Sequence, residues 1–506
     1  MIRLGLVLLV GCGGSQDRPL RVVEGPSIQR PDNPDIYLAR EFEVRTNHPT
    51  RLQLEFDDRE IQITEWSTTH RVPLLGLRAD RAYDLKVNLV DRQGRSRTLE
   101  RTFETLQLPV ALPQMEILAH DPEAVEPGFL LIGFHIKTGG PTILVVYDDE
   151  LEPVWVYDSA EPWTDMRINE SGNLYCLNGG TGVEIDFLGE YVHRWTHEPE
   201  LDVDILWEGG RMHYDFLPTD EGFASITFDA VEIPEYPVDY DTPDVLDGPA
   251  TIRTPNVVLM DREGGLIDKW PLYERLDPTR IGWNSLSWNR DVEAWDWGHA
   301  NAVAPAPDGY LVSLRHQDVV VKLDLAGELQ WILGNHDGWS PELEPFLLDP
   351  VGELEWQYHQ HAPMVSEDGQ IVVFDNHNRD FTPYDGVPDD APPSVSRIVA
   401  FQVDPVAMTV EQTFSYEETV NGSVYSPVMG DADWQPQTGN VLATFASTNK
   451  EAEVSNLDNG WGKNAIRLIE VEPATGRAVL DVRFYSDPDV NPDGWWSPRT
   501  ERIPAF

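Results

Sequence analysis

Three histidines open three similar phrases of the chain: "HYDFLPTDEG" at His213, "HANAVAPAPDG" at His299 and "HAPMVSEDG" at His361. In each, an apolar residue follows four positions later, at Leu217, Val303 and Val365, and a Gly-led apolar run comes next. Just past the run that follows His299, "SLRHQD" places Arg315, whose counterpart in the next unit is Asp375. Three imidazoles and one guanidinium admit two chemistries. Neutral imidazoles suit Zn²⁺, but Arg315 repels a cation and the pattern lacks close-spaced ligand pairs. A tetrahedral oxyanion fits better, because a guanidinium fork and protonated imidazoles bind it. A neutral imidazole is also a competent nucleophile near pH 7. Any single histidine is more often structural. The repetition of the phrase is what singles these out.

The elements that must position them repeat as well. A Gly followed by four to six mostly apolar residues occurs at "GFLLIGFH" (128), "GNLYCLNG" (172), "GFASITFD" (222), "GYLVSLRH" (309), "GQIVVFDN" (369) and "GNVLATFA" (439). Further strand–turn–strand phrases follow most of them, such as "VVVKLDLAGELQWILG". One such sheet cannot bury both faces alone, and six arranged radially cover one another, which predicts a six-bladed β-propeller. The blade starts then converge on the axis and bring the three histidines together. A β-helix or stacked sandwiches fit the uneven spacing less well. The Pro-rich insertions 231–250 and 380–394 are expected as loops over one face.

Ahead of this lies a different pattern. "REFEVRTNHPTRLQLEFDD" and "RAYDLKVNLVDRQGRSRT" alternate apolar and polar residues, and "VPLLGLRADRAYDLKVNLVD" resembles an immunoglobulin/fibronectin-III-like β-sandwich. The prediction is all-β throughout: residues 1–19 as a lipoprotein signal peptide and tether, 20–108 as the sandwich, and 109–506 as the propeller.

The 506 residues carry 87 acidic and 37 basic side chains, a formal charge of −50. The acids are not gathered in a tail. Such a balance excludes nucleic-acid binding, which needs basic patches, and obliges any site for an anion to gather its positive charge locally. The opening "MIRLGLVLLVGCGGSQD" has an apolar run too short to span a bilayer and fits a secretory leader. "LVGC" resembles a lipobox with Cys12 as the acylated residue, so the expected location is extracytoplasmic, as a periplasmic or outer-membrane lipoprotein whose only membrane contact is the lipid. With Cys176 as the one other cysteine, no internal disulfide framework is expected. The acidic stretch 486–494 reads as a solvated loop rather than a calcium site. No cofactor and no metal are expected.

The run "DWGHANAV…DGYLVSLRHQDVVVKLD-LAGELQWILG", followed by "QHAPMV" and "IVVFDNHNRD", resembles the bacterial aryl-sulfate sulfotransferases. The resemblance extends from about residue 115 to 470 and is densest over 296–380. It implies an extracytoplasmic six-bladed propeller behind an N-terminal sandwich. The implied reaction moves a sulfuryl group from an aryl sulfate to a phenol without a nucleotide donor. By position, His361 matches the family's nucleophile, a histidine transiently sulfated on nitrogen. His299 and Arg315 match its "DW-H-N" and "RHQD" residues, His213 an earlier histidine, and Asn301 a polar, substrate-binding residue. Arg315, His213 and His299 are then expected to bind the sulfuryl oxygens, with His213 or His299 protonating the departing phenolate. Family members often have an acid after the nucleophile, where this chain has Ala362-Pro363. His359 is the rival nucleophile. His316 and His377 read as supporting residues, with alternation turning His316 away from Arg315. Trp295, Trp297 and Tyr358 are candidates for stacking on aryl rings. Two other functions stay open: a non-catalytic propeller that binds a ligand or partner, and a metal-dependent hydrolase using the three histidines. A homodimer is compatible with either.

Overall fold

The computed structural model describes residues 18–57, 59–136, 141–386, 395–449, 464–487, 489, 491 and 493–506. Cys12 therefore lies outside the described residues. Strands dominate, and the described residues include four short 3-10 turns and no α-helix. The chain divides into two compact units, Met1–Pro34 with Leu38–Gln107, and Asp35–Tyr37 with Leu108–Phe506.

In the first unit five strands make one bent sheet. The strand Arg40–Phe56 loses register between Arg45 and Thr50. Its first half pairs with Val22–Gln29 and its second with Ala82–Asp91. The bend lets the halves close over a shared core of Phe42, Val44, Leu52, Leu54, Leu85, Val87 and Leu89. In Ala82–Asp91 the alternate side chains face out, the pattern of a sheet with one wet face.

The described residues of the second unit form six mainly antiparallel sheets of four to six strands. Each Gly-led run of the sequence forms the second strand of one sheet: Phe129–His135, Leu174–Asn178, Gly222–Ile233, Gly309–Leu314, Ile371–Asp375 and Val441–Asn449. At Gly222 and Gly309 the reason is steric. A Cβ there would stand 2.0 Å from the carbonyl oxygen of Met260 or Leu323 on the neighbouring strand. The edge strands before these runs are Trp163–Ile168, His213–Pro218, Ala300–Ala306, His361–Val365 and Asp431–Trp434, with Thr500–Ile503 taking that place beside Phe129–His135. All six contribute to the wall of one cavity of about 170 Å³, the arrangement expected of six blades around an axis.

Side chains tie these inner strands to one another. Asp165 accepts from the Phe216 amide, Asp215 accepts from the Val303 amide at 2.6 Å, and the Asn301 amide group donates to the Gln360 carbonyl at 2.8 Å. Two sheets combine distant parts of the chain. Thr500–Ile503 pairs with Phe129–His135, and Arg477–Tyr485 pairs with Gln114–His120.

The insertion 231–250 is not wholly loop. Gly222–Ile233 and Ala250–Asp261 pair along all 12 residues, so the β-branched Val231, Ile233 and Ile252 lengthen the hairpin beyond its neighbours. Within the other insertion, residues 387–394 lie outside the described residues.

Candidate active site

His213 and His361 each begin an inner strand, while Ala300 holds that place in the third and His299 stands one residue before it. The three histidines are therefore not strictly equivalent, as the matching phrases had suggested. The pairing of each inner strand with its neighbour breaks at this point: between His213 and Phe216, Ala300 and Ala302, and His361 and Met364. Such bulges re-aim side chains. Tyr214, His299, His359 and Ala362 all adopt left-handed φ, at 64°, 45°, 56° and 48°. Strained backbone gathered in one place is a mark of functional sites. Ala362-Pro363 lies within the last bulge, directly after His361.

His213, Tyr214, Asn301 and His361 share the wall of a cavity of about 310 Å³, with Arg211 and Arg499 nearby. That volume falls at the lower end of the range of about 300–1,000 Å³ typical of small-molecule sites. His299 and Arg315 adjoin it. The Tyr214 hydroxyl lies 2.7 Å from His299 Nε2, and the Arg315 amide donates to the His299 carbonyl at 3.2 Å.

The tautomer of His361 follows from its neighbours. Asn376 donates through Nδ2 to the carbonyls of Ser426 and Met429, both at 2.7 Å. Its Oδ1 therefore faces His361 Nδ1, at 2.6 Å, and the His359 carbonyl lies 3.2 Å from the same nitrogen. Both neighbours are acceptors, so Nδ1 carries the proton and Nε2 the lone pair. Burial, reinforced by the Arg315 charge, holds the imidazole pKa well below its ordinary value, and the ring is neutral near pH 7.

His299 is held in a chain of groups. Its Nδ1 lies 2.5 Å from Asp296 Oδ2, and Arg253 reaches Asp296 at 3.0 Å. Burial opposes ionisation of Asp296, but His299, His316 and Arg253 outweigh it and hold the carboxyl well below the usual range. Burial pushes the Tyr214 hydroxyl up to about 12.

Arg315 is buried and makes no ion pair among the described residues. Among the described residues its side chain makes one hydrogen bond, to the Pro427 carbonyl at 3.2 Å. A guanidinium taken out of water without a carboxylate partner is costly, and a bound anion offsets that cost. His213 does not add to the positive charge: burial, then Arg253, lowers its pKa to about 3. Positive charge at the site therefore comes from guanidinium groups and not from His213 or His361. Asn301 spends one N–H on Gln360, the residue before His361, so it also holds the strand that carries His361.

His359 is fully buried, with Nε2 2.9 Å from Asn284 Oδ1 and Nδ1 3.1 Å from Asp318. Among the described residues Nδ1 makes no hydrogen bond, but His359 does not line the cavity that holds His361. Arg315 and His316 lie on a 3-10 turn rather than a strand, so the expected alternation does not apply. His316 stacks on His299 with ring centroids 4.4 Å apart. His377 packs against Tyr358, and Trp297 is fully buried with its indole N–H on the Arg280 carbonyl, so neither Trp297 nor Tyr358 stands at the cavity wall. Trp295 packs edge-on against Trp288.

Among the described residues, Asp296, His299 and His316 form one group with metal-ligand spacing, and Asp431, Asp433 and Glu501 another. In the first, the Nδ1 atoms of both histidines and both nitrogens of His299 are already hydrogen-bonded. Neither group contains the set His213, His299 and His361. Tyr214, Asp296 and Asn376 escaped the sequence reading. All three sit within quoted motifs, in "HYDF", "DWGH" and "FDNHN", and that adjacency is the only signal they leave.

The family model for arylsulfotransferase (ASST) matches residues 115–493. The arylsulfate sulfotransferase AssT of Escherichia coli O6:H1 (strain CFT073) is 25% identical over 320 residues, covering 53% of this chain and 51% of the relative. AssT of Lelliottia amnigena is 24% identical over 246 residues, covering 39% and 40%. The chain thus spans about half the length of these curated relatives. A crystal structure of a protein of unknown function from Bacteroides caccae aligns over 72% of this chain and 95% of that one, at 13% identity and a TM-score of 0.37, too low to bear on the fold. By the match over residues 115–493, the chain belongs to the arylsulfotransferase family.

Proposed function

We propose that the protein moves a sulfuryl group from an aryl sulfate to a phenol through a sulfo-histidine at His361. One observation carries this reading: among the described residues a buried guanidinium, Arg315, has no carboxylate partner, and it stands beside the neutral His361, whose Nε2 has no hydrogen-bond partner among them. In the first step Nε2 attacks sulfur, the N–S bond forms, and the S–O bond to the aryl group breaks with its electron pair on the phenolate. Arg315 stabilises charge on the sulfuryl oxygens, and neutral His213 donates an N–H. In the second step the acceptor phenol loses its proton, attacks the sulfo group, and returns the electron pair to Nε2. A covalent intermediate splits one hard displacement into two easier ones. Preorganised donors in a dry site are worth more than in water.

The leader pattern around Cys12 supports an extracytoplasmic setting with a lipid anchor, and among the described residues no helix is long and apolar enough to cross a membrane.

The test is incubation with 4-nitrophenyl sulfate, with and without a phenol, followed by acid quench and mass spectrometry of the protein. The expected result is turnover that depends on the phenol and a sulfo group on the peptide holding His361. Free sulfate released without acceptor would instead indicate a hydrolase. No reaction across a donor panel would leave a binding protein.

A further inference from the structure

Tyr214 belongs to the cavity wall and its hydroxyl reaches His299. Tyr214 lines the cavity of about 310 Å³ together with His361, whereas His299 does not. The hydroxyl is 2.7 Å from His299 Nε2, whose Nδ1 is 2.5 Å from Asp296. Tyr214 takes the left-handed position of its bulge, at φ 64°, which β-sheet tyrosines avoid. Asp215, the next residue, is tied to the Val303 amide of the neighbouring inner strand, which locks the bulge in place. Tyr214 thus touches both the cavity that holds His361 and the His299–Asp296 pair.

We propose that Tyr214 is a catalytic residue: the group that hands a proton to the departing phenolate and takes one from the acceptor phenol, with His299 and Asp296 behind it. The proposal rests on the sulfuryl-transfer reading and replaces direct protonation by His299 or His213. As the S–O bond breaks and its pair moves to the aryl oxygen, the Tyr214 O–H proton passes to that oxygen. A proton from an imidazolium at His299 Nε2 passes to the Tyr214 oxygen in the same direction. His299 ends neutral, accepting from the restored hydroxyl, and the Asp296 carboxylate balances its charge beforehand. The acceptor phenol runs the sequence backwards: its proton goes to the Tyr214 oxygen as the Tyr214 proton goes to His299, and its oxygen then bonds sulfur. Every proton is conserved, and no water takes part.

The test compares Tyr214→Phe with the unmodified chain in single-turnover measurements of phenol release from a series of aryl sulfates. Phenols of ordinary acidity, titrating at about 10, need a proton to leave, and a nitrophenolate does not. General acid catalysis contributes about 10²–10⁴-fold. The expected loss is therefore at least about a hundredfold for phenyl sulfate, and at least tenfold smaller for 4-nitrophenyl sulfate. Equal losses on both donors would overturn the proposal, because a merely structural defect lowers both alike. Should Tyr214→Phe not fold, the plot of log rate against leaving-group pKa for the unmodified chain decides: a shallow slope supports proton donation, a steep one refutes it. Failure of the unmodified chain on every donor would instead sink the sulfuryl-transfer reading and is read separately.

Discussion

Arg315→Met is the substitution that best separates function from stability. Methionine fills much of the same space, removes the charge and deletes one hydrogen bond, to the Pro427 carbonyl at 3.2 Å. That bond, charge-assisted, is worth about 1.5–3 kcal/mol. Against it stands the cost of an unpaired buried ion, several kcal/mol. Folding stability should therefore stay within about 2 kcal/mol of the unmodified value and can rise. Catalysis should not be spared. Two charge-assisted bonds to the sulfuryl oxygens, at about 1.5–3 kcal/mol each, amount to about 3–6 kcal/mol, or on the order of 10²–10⁴ in kcat/KM. Thermal unfolding and steady-state kinetics on 4-nitrophenyl sulfate read the two effects independently. Ligand linkage gives a third reading: a donor at a hundred times its Kd stabilises by about 2.7 kcal/mol, a rise in Tm that Arg315→Met should lack. If Arg315→Met lost most of its stability, or kept full activity, the account of Arg315 as an anion-binding charge would be wrong.

Further tests address other parts of the structure. His361→Ala should yield no sulfo-protein on acid quench, and full turnover in that variant would refute the nucleophile. Because the folded pKa of His361 lies below the ordinary imidazole value, Nε2 is available above that pKa and lost only below it. The kcat/KM for 4-nitrophenyl sulfate should thus show no acid limb with a midpoint near the ordinary value of about 6.5; a limb there would contradict the buried, neutral ring. The −50 charge repels an anionic donor at long range, and the screening length falls to about 10 Å at 0.1 M salt, so kcat/KM should rise as salt is added; a fall would show that local attraction dominates. Gly309→Ala puts a Cβ 2.0 Å from the Leu323 carbonyl and should cost at least about 2 kcal/mol in denaturant unfolding, while Gly172→Ala, open around its Cβ, should cost about 1 kcal/mol. Cys12→Ser should move the protein from the membrane to the soluble fraction, and unchanged retention would argue against the anchor.

Much of the frame was legible because its causes are local. A Gly at a crowded strand start and an apolar run after it are requirements of adjacent residues, and Gly222 and Gly309 declare them in the sequence. The phrases at His213 and His361 mark strand starts for the same reason. What stayed hidden depends on contacts between sheets. Tyr214 meets His299 across 85 residues, and Asn376 sets the His361 tautomer only because the carbonyls of Ser426 and Met429 turn its amide. The 3-10 turn at Arg315–Gln317, which stacks His316 on His299, carries no composition that distinguishes it from a continuing strand. The charge states were hidden too. Burial decides that His213 and His361 are neutral, and burial is a property of the assembled sheets.

Thr500–Ile503 completes the sheet of Phe129–His135, and Arg502 joins the buried Glu470 from the strand Asn464–Glu472. The sheet is therefore closed by two segments far apart in the sequence, and Phe129–His135 keeps an open edge until Thr500–Ile503 has docked beside it. A copy cut between those two segments and stripped of Thr500–Ile503 would present the bare edge of Phe129–His135 to other chains, an invitation to pair that the intact sheet withholds.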